Sequence, residues 1–290
     1  MSRKGFLLFL IAGFAWGVPY FFIRIAVQDF SAPTIIFARV VVGAAVLIPL
    51  ALKQGALLPA LKAWRWVLAF AALEMVGPWW LITTAEQHIS SGLTGLLIAT
   101  VPFFGVLIAY FFMGDKTVFH PKTVLGLVIG FAGVILLVGI DSIGGQVDPL
   151  WVGAVVVASI GYALAPAIAS AKISHVPTVG VIALSMAMVA VVYAVPAMLA
   201  LPAEISAGPS INSWIALAVL GVVCSAIAFV VFFELMKEIG AARATLITHM
   251  NTLVAILLGT IFLAEPLTAG ILLGVPLVLV GSWFAARTHA

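Results

Sequence analysis

Residues 89–115 read ISSGLTGLLIATVPFFGVLIAYFFMGD, and residues 239–265 read IGAARATLITHMNTLVAILLGTIFLAE. A constant shift of 150 lays Gly95 on Thr245, Pro102 on Thr252 and Met113-Gly114-Asp115 on Leu263-Ala264-Glu265. Small residues open each copy, mainly apolar residues follow, and an acid closes each. A run of ~20 such residues, at ~1.5 Å rise per residue, matches the hydrocarbon thickness of a bilayer. Each copy is predicted to form a transmembrane helix, and the duplication organises the rest of the chain.

Composition carries the same message over all 290 residues: 64% are hydrophobic, 8% are charged, and the mean hydropathy is +1.30. A soluble domain carries about 25% charged residues, so lipid must cover this surface. One cysteine, Cys224, excludes an internal disulfide and offers no thiol cluster for a metal. The basic residues form no dense cluster, so a pI near 9.2 does not point to nucleic acid. No GxxxxGK[ST] loop occurs, which argues against ATP hydrolysis by that route.

Ten apolar spans are predicted, at residues 5–27, 33–52, 66–85, 93–113, 123–140, 150–171, 178–201, 213–235, 242–263 and 268–286. The first is too long for a signal-peptide core and lacks a small-residue cleavage site, so it is expected to be retained. The longest connections, 53–65 and 202–212, leave no room for a soluble domain. With a cytoplasmic N-terminus, all but two of the 13 lysines and arginines fall on the inner side; the exceptions are Arg24 and Arg39. Asp29, Glu86, Asp141, Asp148, Glu204 and Glu265 fall outside. This positive-inside distribution places both termini in the cytoplasm.

The duplication extends beyond its opening stretch. Gly126 and Gly133 recur as Gly274 and Gly281, Trp66 recurs as Trp214, and Trp16 lies opposite Tyr162. Residues 1–145 and 146–290 are therefore expected to be two five-helix repeats. Because five is odd, the second repeat crosses the membrane in the opposite sense. The expected fold is an all-α integral membrane protein of ten helices in two inverted 5+5 repeats. Such repeats characterise secondary transporters, with the substrate held near the midplane between them.

Ala15-Trp16-Gly17, Arg39, the Pro102 helix ending at Gly114-Asp115, and Leu125-Gly126 with Gly133 form one series of short motifs. Ala264-Glu265 and Leu273-Gly274 with Gly281 are its counterparts in the second half. In their order and spacing these motifs resemble the drug/metabolite transporter superfamily, specifically its ten-helix EamA type, across essentially the whole chain. Asp115 departs from the family's usual Glu. The resemblance implies transport of small metabolites, amino acids prominent among them, with alternating access around a central cavity.

Several polar and aromatic residues are placed to line such a path. Thr245, Thr248, His249 and Thr252 recur at helical spacing on one face of the ninth span, with Asn251 at its edge. Facing lipid they would be costly, so they are expected to face inward, unless the threonines bond back to their own helix. Glu74 sits near the middle of the third span, where an acid must be paired, protonated or wetted. It reads as a proton or cation site, with His249 as its partner, or as a neutral acid bonded between helices. Trp16 and Tyr162 lie too deep for interfacial anchors, and with Trp79 they are expected to form an aromatic wall. Gly17, Pro19 and Pro102 are the candidate points of helix flexibility. Arg39 reads as structural, snorkelling to the outer surface or pairing with Asp29.

The reading that results is a carrier in the cell inner membrane that exports amino acids or related metabolites. Its partners are the small-molecule substrate and the bilayer; no cofactor, catalytic residue or metal site is expected, and ten helices suffice for a pathway in one chain. The alternative is a membrane-embedded enzyme using Glu74 and His249 on a lipid-borne substrate, against which stands the absence of HExxH and GxSxG motifs. The topology is testable in a Cys224→Ala background. A cysteine at Asp148 should label from outside the cell and one at Lys172 only after permeabilisation; labelling of both from one side would contradict the inverted arrangement.

Overall fold

The computed structural model describes residues 2–114, 116, 120–143, 148–239 and 247–286. Among these residues every regular element is helical. In chain order they are α1 (Arg3–Ala26), α2 (Ala32–Lys53), a short α3 (Leu57–Lys62), α4 (Trp64–Ala71), α5 (Gly77–Ala85), α6 (Ser91–Ile98), α7 (Val101–Met113) and α8 (Pro121–Ile143). They are followed by α9 (Pro149–Lys172), α10 (Thr178–Ser206), α11 (Ile211–Gly221), α12 (Ala228–Ile239), α13 (Ile247–Phe262) and α14 (Ala269–Ala286). Seven runs are long and apolar enough to cross a membrane, and three apolar helices, Pro121–Leu137, Ile247–Phe262 and Ala269–Phe284, are shorter.

Two connections differ from the sequence expectation. The segment 53–65 contains α3, and α10 continues through Pro196 and Pro202 to Ser206 before Gly208 reverses the chain at φ +73°. The extension of α10 projects Glu204 far enough to bond the start of α2, a contact a shorter helix could not make.

Two spans are interrupted by wide π turns. Ala72–Val76 joins α4 to α5, and Val222–Ile227 joins α11 to α12. They start 150 residues apart, within two residues of equivalent positions in the register set by Trp66 and Trp214. Pro78 accounts for the first, since a proline has no N–H and its ring would strike the carbonyl four residues back. The wider turn absorbs that conflict, and the Tyr193 hydroxyl donates to the Val76 carbonyl at 2.8 Å, tying α10 to this turn. In the second, the Ser225 hydroxyl donates to the Leu220 carbonyl at 2.9 Å. The fourth span breaks between α6 and α7, where Pro102 starts the new helix at a position that needs no N–H.

The principal helix contacts join residues from the two halves of the chain: α8 with α14, α2 with α10, α1 with α13, and α5 with α9. Glycines set the closest approach. A Cβ on Gly281 would fall 2.6 Å from the Gly126 carbonyl oxygen, and one on Gly274 would fall 3.1 Å from the Gly133 carbonyl oxygen. Gly126 thus faces the counterpart of Gly133, and Gly133 faces the counterpart of Gly126. That exchange is how a two-fold contact is made, and small residues let the backbones meet.

A side chain at Gly281 has nowhere to go, whereas Gly153 faces open space. Gly281→Val is expected to cost about 1–3 kcal/mol by overpacking, and Gly153→Ala to stay within about 0.5 kcal/mol. Thermal unfolding of the purified protein in detergent measures both; a Gly281→Val protein as stable as the parent would refute the close α8–α14 contact.

Candidate functional site

A cavity of about 520 Å³ lies among helices of both halves. The first half contributes Trp16 and Pro19 from α1, Arg39 from α2, Glu74 from the first π turn, Trp79 from α5 and Pro102 from α7. The second half contributes Tyr162 from α9, Cys224 from the second π turn, Phe229 and Phe232 from α12, and Thr248 and Asn251 from α13. Both π turns therefore present a side chain to one space. Trp16 sits with its ring 4.5 Å from Phe232 and 5.2 Å from Phe229, so it packs and lines at once. Asn251, with its amide nitrogen turned toward α1, donates to the Gly13 carbonyl at 2.8 Å. Glu74 Oε2 is buried without a hydrogen-bond partner.

Of the residues expected on the path, Trp16, Pro19, Glu74, Trp79, Pro102, Tyr162, Thr248 and Asn251 line this cavity. His249, Thr252 and Gly17 lie outside its lining. His249 Nε2 and the Ser282 hydroxyl are 2.7 Å apart, which ties α13 to α14. Thr252 donates to the carbonyls of Gly95 (3.0 Å) and Thr248 (3.1 Å), so its hydroxyl serves helix packing. Gly17 receives Val254 of α13 at the distance only a glycine allows. Thr245 lies outside the described residues. Away from the cavity, Glu234 pairs with Lys237 at 2.8 Å, as its place near a helix end implies.

Arg39 departs from expectation. It is 5% exposed, it lines the cavity, and its guanidinium lies 3.7 Å above the Trp79 ring. Asp29 is engaged elsewhere, with Ser210 and Ser213, so the anticipated ion pair does not form. Nothing in the sequence around Arg39 signals this; the only clue is its distance from the span's end.

The cavity is bounded unequally along the helix axes. Its lining reaches Ala109, Phe232 and Ile247 toward the end that carries Ser2, and stops at Ile23 and Ile82 on the other side. Beyond Ile23 and Ile82, three carboxylates bridge the halves of the chain. Glu265 accepts from Ser91 N (2.8 Å), Ser91 Oγ (3.0 Å) and Gly92 N (3.1 Å), at the start of α6. Glu204 accepts from Ser31 N at 2.9 Å, at the start of α2. Asp29 accepts from Ser210 N (2.9 Å), Ser210 Oγ (2.8 Å) and Ser213 Oγ (2.6 Å), at the start of α11. Negative charge at a helix N-terminus meets unpaired N–H groups and the positive end of the helix dipole. The stacked pair His88 and Trp151, 4.0 Å apart, adds a further contact at this end.

Two details show what the bridges require. Ala264 adopts φ +53°, a left-handed conformation that costs an L-residue roughly 1–2 kcal/mol, and it turns Glu265 back onto α6. Its counterpart Gly114 has φ +68° and bears no such cost. The hydroxyl of Ser213, then the backbone and hydroxyl of Ser210, hold the Asp29 carboxyl below the usual carboxylate range. A depressed folded value means that this contact stabilises the fold above the unfolded value near 4 and is lost as pH falls through the folded one.

The pattern of the EamA-like transporter family matches residues 3–139 and again 149–287. The chain belongs to the EamA-like transporter family. Among similar proteins, the uncharacterized inner membrane transporter YedA of Escherichia coli (strain K12) is 29% identical over 248 residues, 84% of this chain and 78% of that protein. The uncharacterized transporter YoaV of Bacillus subtilis (strain 168) is 25% identical over 279 residues, 95% of this chain and 94% of that protein. A solved structure described only as a crystal structure of a protein superposes with a TM-score of 0.65 over 98% of this chain and 97% of that one. At 20% identity this likeness speaks for the fold alone.

Cys224, the single cysteine, lines the cavity of this EamA-like protein and reports on its access. A membrane-impermeant methanethiosulfonate is expected to modify Cys224 from the side of the Ser2 end and not from the bridged side. The triple variant Asp29→Ala, Glu204→Ala, Glu265→Ala should admit the reagent from the bridged side severalfold faster. Equal modification from both sides in the parent protein would contradict a closed end.

Proposed function

We propose that this EamA-like protein exports amino acids or closely related small metabolites across the cell inner membrane by alternating access around the central cavity. The observation that carries this reading is the cavity's position, framed by both halves, tied shut at one end and reaching toward the other. In this view the structure represents the state open to the cytoplasm, with both termini on that side. The two halves act as inverted five-helix repeats, an assignment supported by the paired π turns and by the reciprocal glycine contacts of α8 and α14.

The substrate fits between Trp16, Trp79 and Tyr162, whose rings suit an apolar body. The free oxygen of Glu74 supplies an acceptor for an amine. Pro19 and Pro102, inside α1 and at the start of α7, are the points where helices next to the cavity yield. Catalysis by a Glu74–His249 pair is disfavoured because His249 lies outside the cavity that Glu74 lines, with its Nε2 bonded to Ser282.

Purified protein in liposomes loaded with unlabelled amino acids should drive counterflow of the labelled counterparts. Trp16→Ala and Tyr162→Ala are expected to reduce that flux about tenfold while folded protein in the membrane stays near parent levels, as loss of ~1.4 kcal/mol of binding would do. Absence of flux for every amino acid and related metabolite, or equal loss of flux and of folded protein, would overturn the reading.

A further inference from the structure

A guanidinium keeps its charge in proteins, and a buried charge is ordinarily held by a counter-ion. Arg39 is an exception. Its Nε donates to the Ser225 hydroxyl at 3.2 Å, and Trp79 covers one face of its plane at 3.7 Å. Among the described residues no carboxylate comes within ion-pair distance, since the two ion pairs are Lys4–Glu238 and Lys237–Glu234. The terminal nitrogens Nη1 and Nη2 have no acceptor there. Glu86 is the acid whose charge reaches Arg39, yet both Glu86 carboxylate oxygens are buried without a hydrogen-bond partner and the two groups make no contact. The Cys224 thiol and the Tyr162 and Tyr20 hydroxyls complete the electrostatic surroundings of the guanidinium.

This arrangement has a direction. A ring stacked on the guanidinium face leaves the in-plane donors free, and the bond from Nε to Ser225 fixes the rotation of the plane. Ser225 is held in turn by the second π turn through the Leu220 carbonyl. What remains is a pair of parallel N–H donors on a residue that lines a largely apolar cavity, the geometry that takes a carboxylate end-on.

We propose that Arg39 is the anchor for the carboxylate of the transported molecule, oriented by Trp79 and Ser225. The proposal rests on the reading of this cavity as the substrate site, and it narrows the substrate to a small carboxylate with an apolar body. Glu74 lines the same cavity and has a free oxygen. An amino acid places its carboxylate on Arg39 and its ammonium toward Glu74. Amines or amides of the same shape lack the group that Arg39 selects.

The test reads binding, so that it stands apart from transport. Protein in nanodiscs is titrated with matched probes that differ only at the carboxyl group: L-leucine against L-leucinamide, L-phenylalanine against L-phenylalaninamide, and 4-methylvalerate against its amide. Affinity is taken from the shift in thermal unfolding. At least one carboxylate is expected to bind the parent about tenfold or more tightly than its amide, the scale of a charge-assisted bidentate contact. In Arg39→Gln the preference should disappear. Arg39→Lys keeps the charge that Glu86 faces and covers the case in which Arg39→Gln does not fold. In it the preference should fall severalfold, because an ammonium cannot reproduce the fork. A parent protein that binds no carboxylate better than its amide, or a lysine variant with the full preference, would overturn the proposal. Carboxylate binding by a protein that passes none of these solutes across liposomes would sustain the role of Arg39 and sink the transport reading.

Discussion

A carboxylate that accepts the first N–H groups of a helix joins two elements without a long side-chain pair, and this chain uses the device three times at one end. Asp29, Glu204 and Glu265 each reach from one half of the sequence to a helix start in the other. Helix starts are the natural receptors because their N–H groups lack partners within the helix. The rest of the molecule follows from this placement. The bridges hold the halves together at that end, and the cavity's lining reaches toward the opposite end, where Ser2 and Lys4 meet Glu238. The left-handed Ala264 shows that the chain tolerates backbone strain to keep Glu265 in position.

The interior obeys the complementary constraint that buried polar groups need partners. Most find them locally: Thr252 on Gly95, Ser159 on Val155, His249 on Ser282. The two π turns loosen the regular ladder, and the Tyr193 and Ser225 hydroxyls bond carbonyls at them. Among the groups left over, the terminal nitrogens of Arg39 and one oxygen of Glu74 belong to residues that line one cavity, while the buried oxygens of Thr83, Thr84, Glu86, Ser185 and Glu204 lie outside its lining.

Much of this was legible in the sequence. The apolar runs with an acid at each close announced membrane helices, and a shift of 148 made Gly274 and Gly281 the counterparts of Gly126 and Gly133, which meet across α8 and α14. Trp16, Glu74, Trp79 and Tyr162 stood out because depth within a span is a count of residues. The threonine face of α13 misled, since helical spacing says which residues share a face but not which neighbour they meet. Thr252 and His249 meet helices, while Thr248 and Asn251 meet the cavity. Arg39 was hidden for a related reason. A long side chain near a span end can snorkel, and only the three-dimensional position of Asp29 and Trp79 decides that it does not. The end-tying role of Asp29, Glu204 and Glu265 was equally invisible, because each contact spans more than 170 residues of sequence.

The proposal that a single cavity is served alternately from two ends turns on the relative motion of those ends. Spin labels at Gln28 and Leu267 report on the bridged end, and labels at Phe111 and Lys237 report on the other. Pulsed dipolar distances measured in nanodiscs, with and without a transported amino acid, should change in opposite senses: substrate lengthens the first distance in a fraction of molecules and shortens the second in the same fraction. Distances that move together, or that stay fixed while flux continues, would contradict the account.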